Sequence, residues 1–562
     1  MSKFIIYQVL PRLFGNDFSL NKKNGSILEN GCGKFNNFTT KALKEIKSLG
    51  ATHIWYTGVI EHATQTEYSE YGIKADNHAV VKGVAGSPYA IKDYYDVDPD
   101  LAENVRDRMK EFEQLIERSH KVGLKVIIDF VPNHVAREYF SDNKPEGIID
   151  LGENDRADCA FHKNNNFYYL PELKFQPSFD IGDYYEFPSK VTGNDQFTHS
   201  PSINDWYETV KLNYGVDYLD NRNKHFENIP DTWNKMLEIL LFWADKKVDG
   251  FRCDMAEMVP VEFWQWAIKK VKDIYPNVIF IAEVYNPDQY HNYIFTGGFD
   301  YLYDKVGLYD LLKNITCYNY SCSHITKAWQ SLYNIEDKML NFLENHDEQR
   351  IASDFFAGDA WKIIPALIVS ATLTKAPFML YFGQELGEPG MDEEGFSGRD
   401  GRTTIFDYWG VRSIQQWTNN GKFDGNKLSE DQKKLRNFYS ILLNICLEQK
   451  AISDGVKYDL QYANFQNQHF NPDRQFAFIR KYENEILLIV VNFDDKPVDI
   501  QINMPSEVFE FLQIEEKQNC NLVDLLDNNY SVVNNINSQN PISLQIEKYS
   551  GRILLMTDYL IL

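Results

Sequence analysis

Eight short apolar runs punctuate the chain up to about residue 450, at 4–9, 53–57, 126–131, 248–254, 278–283, 299–303, 339–344 and 377–382. Each has the length of a strand, and stretches with helical patterning lie between them. Residues 40–49 open on threonines and stop at Gly50, and residues 105–121 stop near Gly123, as capped helices do. Strands that alternate with helices in this way predict an α/β fold, a parallel (β/α)8 TIM barrel.

Two stretches break the alternation. Residues 135–228 are rich in Asn, Asp, Gly, Tyr and Phe, hold only short strand-like pieces, and are too long for a loop. They predict an inserted subdomain, after the third strand, that covers one end of the barrel. Beyond about Ala451 the pattern changes to alternating runs such as 475–480 and 485–492, with Asn- and Asp-rich turns, which predicts a C-terminal β-sandwich. The expected plan is barrel over 1–134, insert over 135–228, barrel again over 229–450, and β-domain over 451–562. No internal repeat is visible, and the Asn-rich residues 528–540 read as a loop.

At 562 residues the chain has room for two to four domains. Its 43% hydrophobic and 25% charged content is ordinary, and its 14% aromatic share is high. Aromatic faces suit sugar rings, although most such residues belong to cores. With 57 Lys+Arg against 81 Asp+Glu the net charge is −24, which argues against nucleic acid or an anionic membrane as a partner and favours a neutral or small polar substrate. The seven cysteines are scattered, odd in number and free of CxxC spacing, so they read as reduced thiols with neither a disulfide framework nor a zinc site. The opening MSKFIIYQVLPRLFG lacks the apolar core of a signal peptide, and no run of 18 apolar residues follows. The expectation is a soluble, cytoplasmic protein.

Chemistry concentrates at the strand ends, where a barrel of this kind keeps its site. In VDGFRCD, Arg252 and Asp254 stand two residues apart and project to the same face of a strand. A guanidinium beside the acid lowers its pKa, as an anionic nucleophile requires, although an ordinary Arg/Asp pair would look the same. The other strand ends offer Asp129 with Asn133 and His134 in IIDFVPNH, Glu283 in IFIAEVY, and His346 with Asp347 in FLENHDEQR. Sugar cleavage needs such a set: an anionic carboxylate for the anomeric carbon, a protonated acid for the leaving oxygen, and donors that grip ring hydroxyls. A metal centre competes as a reading, but the strand ends show no His/Asp cluster with ligand spacing.

IIDFVPNH, GFRCD, IAEV and ENHD, in that order, resemble the four strand-end motifs of glycoside hydrolase family 13, the α-amylase family. IIYQVLPRLFG, SPYAIKDYYDVDPDL and FSGRDGRTTIFDYWG resemble the family as well, so the likeness runs from residue 4 to about 445; beyond it only the β-rich character matches. The resemblance implies that Asp254 is the nucleophile, Glu283 the general acid and then base, and Asp347 a stabiliser of the oxocarbenium-like transition state. It implies that Arg252 keeps Asp254 ionised, that His134 and His346 hydrogen-bond the sugar at the cleavage point, that Tyr89 stacks on it, and that Asp129 is mainly structural. These roles imply retention of anomeric configuration, with the two carboxyls about 5 Å apart.

The departures from the pattern bear on specificity. Many α-amylases carry Lys-His where this chain has Glu257 and Met258, and DMAEMVPVEFW is closer to the neopullulanase and cyclomaltodextrinase type. An acidic residue there alters the acceptor side of the cleft. Asn133 matches a structural calcium ligand, but in VDYLDNRN the usual aspartate is displaced to Asp217 or replaced by Tyr218, and Met258 stands at a usual histidine. The resemblance therefore implies no cofactor for the chemistry and leaves a structural calcium at Asn133 open. It points to hydrolysis of α-1,4 bonds in maltodextrins or related α-glucans, with α-1,6 bonds and oligomeric state left open. A 4-α-glucanotransferase is the alternative among enzymes. An inactive sugar-binding protein on the same fold is the alternative outside them, and the complete acid trio speaks against it. The aromatics of the β-domain read as core rather than as a starch-binding surface.

Overall fold

A computed structural model describes residues 3–393, 395–527 and 529–557. The eight apolar runs form a closed barrel of parallel strands: β1 (Ile5–Val9), β2 (His53–Tyr56), β3 (Lys125–Phe130), β4 (Gly250–Cys253), β5 (Ile279–Ala282), β6 (Tyr301–Tyr303), β7 (Met339–Phe342) and β8 (Phe378–Tyr381). Neighbours in sequence are neighbours around the ring, and β8 closes on β1. The strands read as continuous apolar runs because both faces are covered, one by the barrel interior and one by helices. In β3 every residue after Lys125 is buried.

The helices form where capping and patterning asked for them. α1 (Thr40–Ser48) starts at Thr39, whose hydroxyl accepts from the Ala42 N–H. α2 (Arg108–Lys121) buries Phe112, Leu115 and Ile116, and the chain leaves it through Gly123 at φ 80°. α3 (Asp231–Asp245) and α4 (Val261–Ile274) follow the insert and β4, and α5 (Ile364–Thr372) is buried along its whole length.

Between β3 and α3 the chain makes only short antiparallel pairs: His134–Ala136 with Thr209–Lys211, Tyr169–Leu170 with Ser189–Lys190, and Val216–Asp217 with Asn223–Lys224. The first pair grows directly out of β3, so His134 lies at the root of the insert. A second excursion, which the hydrophobic pattern does not reveal, pairs Ile60–His62 with Ile91–Val97 and carries Tyr89 in the loop before its return strand.

The C-terminal domain has a six-stranded antiparallel sheet in the order β9 (Val456–Asp459), β10 (Gln475–Tyr482), β11 (Glu485–Asn492), β16 (Ser550–Thr557), β13 (Lys517–Asp524), β14 (Ser531–Ile536). A two-stranded ribbon of β12 (Val498–Ile502) and β15 (Ile542–Ile546) packs over one face. Residues alternate between two cores: Ala477, Ile479, Leu488 and Val490 face the ribbon, whereas Phe476, Phe478, Leu487 and Ile489 join the core of the barrel. Arg480, 2% exposed, joins the two by donating to the carbonyls of Leu373, Ala451, Ile452 and Gly455.

One expectation is corrected here. The Asn-rich residues 528–540 are not all loop, because β14 occupies Ser531–Ile536 and pairs with β13; Asn528 lies outside the described residues. Val532 and Ile536 pack on the second core, Asn534 between them accepts from the Ser543 N–H of β15, and Asn535 faces solvent, as an edge strand allows. Among the described residues none of the seven cysteines is in a disulfide, and no helix is long and apolar enough to cross a membrane.

Candidate active site

The register of the barrel places the acids. Arg252 of β4 lies opposite Asp129 of β3 and Ile281 of β5. Just beyond the strands the ladder continues for one residue: the Asp254 N–H donates to the Phe130 carbonyl at 2.9 Å and the Glu283 N–H to the Cys253 carbonyl at 3.1 Å. The backbones of both acids are thus fixed by the sheet. Met255 then turns out of the barrel in the left-handed region, at φ 42°, a conformation costly for a side-chain-bearing residue.

Arg252 is fully buried at the centre of the group. Its Nη1 donates to Asp254 Oδ1 at 2.6 Å, its Nη2 lies 2.8 Å from Glu283 Oε2 as an ion pair not aligned for a hydrogen bond, and its Nε donates to the Tyr303 hydroxyl at 3.2 Å. Asp129 Oδ1 is 3.6 Å from Nη1. The rings of Trp55, Tyr89 and Tyr303 surround the guanidinium, each centroid 5.4 Å from it, which holds it in place by cation–π attraction.

Burial works against Arg252 throughout the group. Arg252 does pull the pKa of Asp254 down, but burial outweighs it and the net direction is up. Glu283 is also raised, first by burial and then by the charge of Asp254, with Arg252 opposing. Asp347, whose side chain is 34% exposed at the cavity wall, has no direct contact with the guanidinium and is raised by the loss of part of its water and then by the charge of Glu283. Burial lifts Asp129 to about 7 despite Arg252. Both histidines are held neutral: burial and then Lys211 lower His134 to about 3, and burial and then Arg252 push His346 well below its usual range. His346 Nδ1 lies 2.8 Å from the Gln8 side-chain amide, and its Nε2 faces Tyr89 and, at 3.1 Å, Asp347.

Tyr89, His134, Asp254, Glu283, His346 and Asp347 line one cavity of about 300 Å³. Arg252 lies beneath it. Asp129 does not face it: its Oδ2 accepts from the Trp55 indole at 3.0 Å and from the Gly58 N–H at 3.3 Å, so it ties strand ends together. Tyr89 stacks on the His346 ring, 5.1 Å between centroids. Lys82, Trp206, Glu208, Tyr285 and Phe396 are among the remaining wall residues. Two of them carry a signal in the sequence: Tyr285 stands two residues beyond Glu283, and Phe396 opens FSGRDGRTTIFDYWG.

The calcium position resolves differently. Asn133 Oδ1, the oxygen a cation would need, accepts from Lys211 Nζ at 2.7 Å, while its Nδ2 donates to the Gly193 carbonyl at 2.8 Å. Lys211 is itself paired with Asp195 at 2.6 Å. Asp217 Oδ1 instead accepts from the backbone of Leu219 and Asp220. Among the described residues no group of three or more His, Cys, Asp or Glu is arranged to hold a metal. The residues around Asn133 do not fit a calcium ion, because an ammonium already occupies the oxygen.

The two oxygens of Glu257 accept from the backbone N–H groups of Tyr285, at 3.2 Å, and Asn286, at 3.1 Å, and the residue lines a second cavity with Met258, Lys211 and Tyr218.

A closed parallel barrel whose C-terminal mouth gathers three acids around one buried arginine has the layout of a glycoside hydrolase. The model of the α-amylase catalytic domain matches residues 8–437, and the chain belongs to the α-amylase family. Among curated relatives it is 26% identical over 400 residues to α-amylase 3 of Dictyoglomus thermophilum, covering 65% of this chain and 68% of that protein. It is 23% identical over 453 residues to a cyclomaltodextrinase of Thermoanaerobacter pseudethanolicus, covering 78% and 64%. The match to an α-amylase of Haloarcula japonica spans about half of that protein, 53% of its length. Among solved structures, a noncanonic maltogenic α-amylase of Thermotoga neapolitana aligns over 99% of both chains with a TM-score of 0.62 at 19% identity. At that identity the likeness shows the fold.

Proposed function

We propose that this protein is a retaining α-glucan hydrolase that cleaves α-1,4-glucosidic bonds of maltodextrins through a covalent glycosyl-enzyme intermediate. The observation that carries the reading is the single buried guanidinium shared by Asp254 and Glu283. Two carboxyls held on the two terminal nitrogens of one arginine are close together, as the ~5 Å spacing of retaining enzymes requires.

In this reading Asp254, paired with Arg252 at 2.6 Å, attacks the anomeric carbon. Glu283, raised by burial, keeps a proton for the leaving oxygen and then takes one from water. Asp347, raised by its surroundings and open to the cavity, grips sugar hydroxyls beside the neutral donors His134 and His346. Relatives support the substrate class: some are named cyclomaltodextrinase or neopullulanase, and structures of related enzymes are described in complex with maltose and with acarbose. We further propose that the fold needs no calcium at Asn133, the Lys211 ammonium serving there instead.

The test is a product time course on maltoheptaose with wild type and Asp254→Ala. Short maltooligosaccharides from the wild type alone support hydrolysis through Asp254. Products longer than the substrate would establish transfer instead, and full turnover by Asp254→Ala would remove the nucleophile from the scheme.

A further inference from the structure

The acid Glu283 divides its oxygens between two surroundings. Oε2 accepts from the Met255 N–H at 2.8 Å and faces the Arg252 guanidinium. Oε1 is left for the cavity, and there it accepts from the Tyr285 hydroxyl at 2.6 Å. Tyr285 does not reach it by chance of rotamer alone, because the Glu257 carboxylate binds the backbone N–H of Tyr285 and of the next residue, Asn286. One acid from the turn after β4 thus fixes the loop after β5.

We propose that Tyr285 is a positioning residue for the acid and base Glu283, aimed at its working oxygen by Glu257, and that this pair sets how readily Glu283 gives up and recovers its proton. The inference rests on the assignment of Glu283 made above.

In the first step the Oε1 proton passes to the glycosidic oxygen while the bond from that oxygen to the anomeric carbon breaks and an Asp254 oxygen bonds to that carbon. Oε1 is then negative, and the Tyr285 hydroxyl donates to it. In the second step a water oxygen bonds to the anomeric carbon, the bond to Asp254 breaks with its electron pair returning to the carboxylate, and the water proton goes to Oε1. The tyrosine bond is strongest between the two steps, when Glu283 is ionised.

The other groups facing Glu283 are Arg252 of β4, Asp254 at its end, Tyr303 of β6, Asp347 beyond β7 and His134 beyond β3. Arg252 favours the ionised acid. Asp254 and Asp347 oppose it when charged, and burial opposes it throughout. The tyrosine hydroxyl and the Met255 N–H add to the side of Arg252. Removing the hydroxyl therefore raises the pKa of Glu283 and keeps its proton on to higher pH.

The experiment measures kcat/KM against pH on an aryl maltotrioside for wild type, Tyr285→Phe, Glu257→Gln and the double variant. Tyr285→Phe, which keeps the ring, moves the alkaline limb to higher pH and changes KM by less than about twofold. Glu257→Gln moves the limb the same way by less, and the double variant matches Tyr285→Phe, since both act through one bond. Superposed limbs for wild type and Tyr285→Phe overturn the proposal, as does a change confined to KM, which would make Tyr285 a wall of the cleft. Tyr285→Phe decides alone if Glu257→Gln fails to fold. Glu283→Gln separates the two levels: full activity in that variant, with good and poor leaving groups alike, removes Glu283 as the acid whatever Tyr285 does.

Discussion

Replacing Arg252 by methionine keeps an unbranched side chain and removes the one cation among Asp129, Asp254 and Glu283. All three acids are buried, and Asp129, which does not face the cavity, has no water to recover when the guanidinium goes. Removing one partner of a buried ion pair costs about 3–5 kcal/mol. The sign with pH follows from the direction of the shifts. The folded pKa of each acid already lies above its usual value, with Arg252 holding it down, so the variant raises all three further. A buried acid with a raised pKa destabilises the fold at every pH above its unfolded value. The deficit therefore grows with pH until it passes the variant's folded values, which for Asp129 lie above about 7, and it shrinks as pH falls toward the wild-type values, by about 1.4 kcal/mol per pH unit for each proton taken up. Urea midpoints of wild type and Arg252→Met at pH 7.5 and pH 5 measure it. A gap of ~3–5 kcal/mol at the higher pH that narrows at the lower is the expected outcome, with turnover lost at both. An equal gap at both would refute the reasoning and assign the loss to packing among Trp55, Tyr89 and Tyr303.

Lys211→Met should lower the melting temperature by the equivalent of about 2 kcal/mol, because Asn133 loses its donor while the partly exposed Asp195 regains water. Wild type should melt at the same temperature with and without EDTA, and a drop in EDTA would show that a cation holds that site after all. Arg480→Met strands four buried carbonyls between barrel and β-domain and should cost ~3 kcal/mol or more, seen as a lower urea midpoint with turnover retained per folded molecule.

The barrel is legible in the sequence because strands buried on both faces must be apolar throughout, and its ends are legible because the polar residues after such runs stand out. Lys211 is not legible, being one of 57 cations. Only the antiparallel pairing of His134 with Lys211 brings its side chain under Asn133. The hold of Glu257 on the loop after β5 is not legible either, because its partners are backbone N–H groups 28 and 29 residues away, which no side-chain pattern marks. The net rise at Asp254 is hidden for a related reason: the arginine is visible in GFRCD, whereas the depth of burial is not. β14 is missed because Asn534 interrupts its inward face between Val532 and Ile536 while Val533 stands on the exposed one, so no clean alternation shows.

The sheet of β10, β11 and β16 has no free face. Phe476, Phe478, Leu487, Ile489 and Ile553 complete the packing of the barrel, and α5 lies against them. A gene shortened to end near residue 450 would accordingly not encode a minimal catalyst. It would encode a barrel with a wide apolar wound over α5, prone to self-association, and grafting a foreign carbohydrate-binding module there would not heal it.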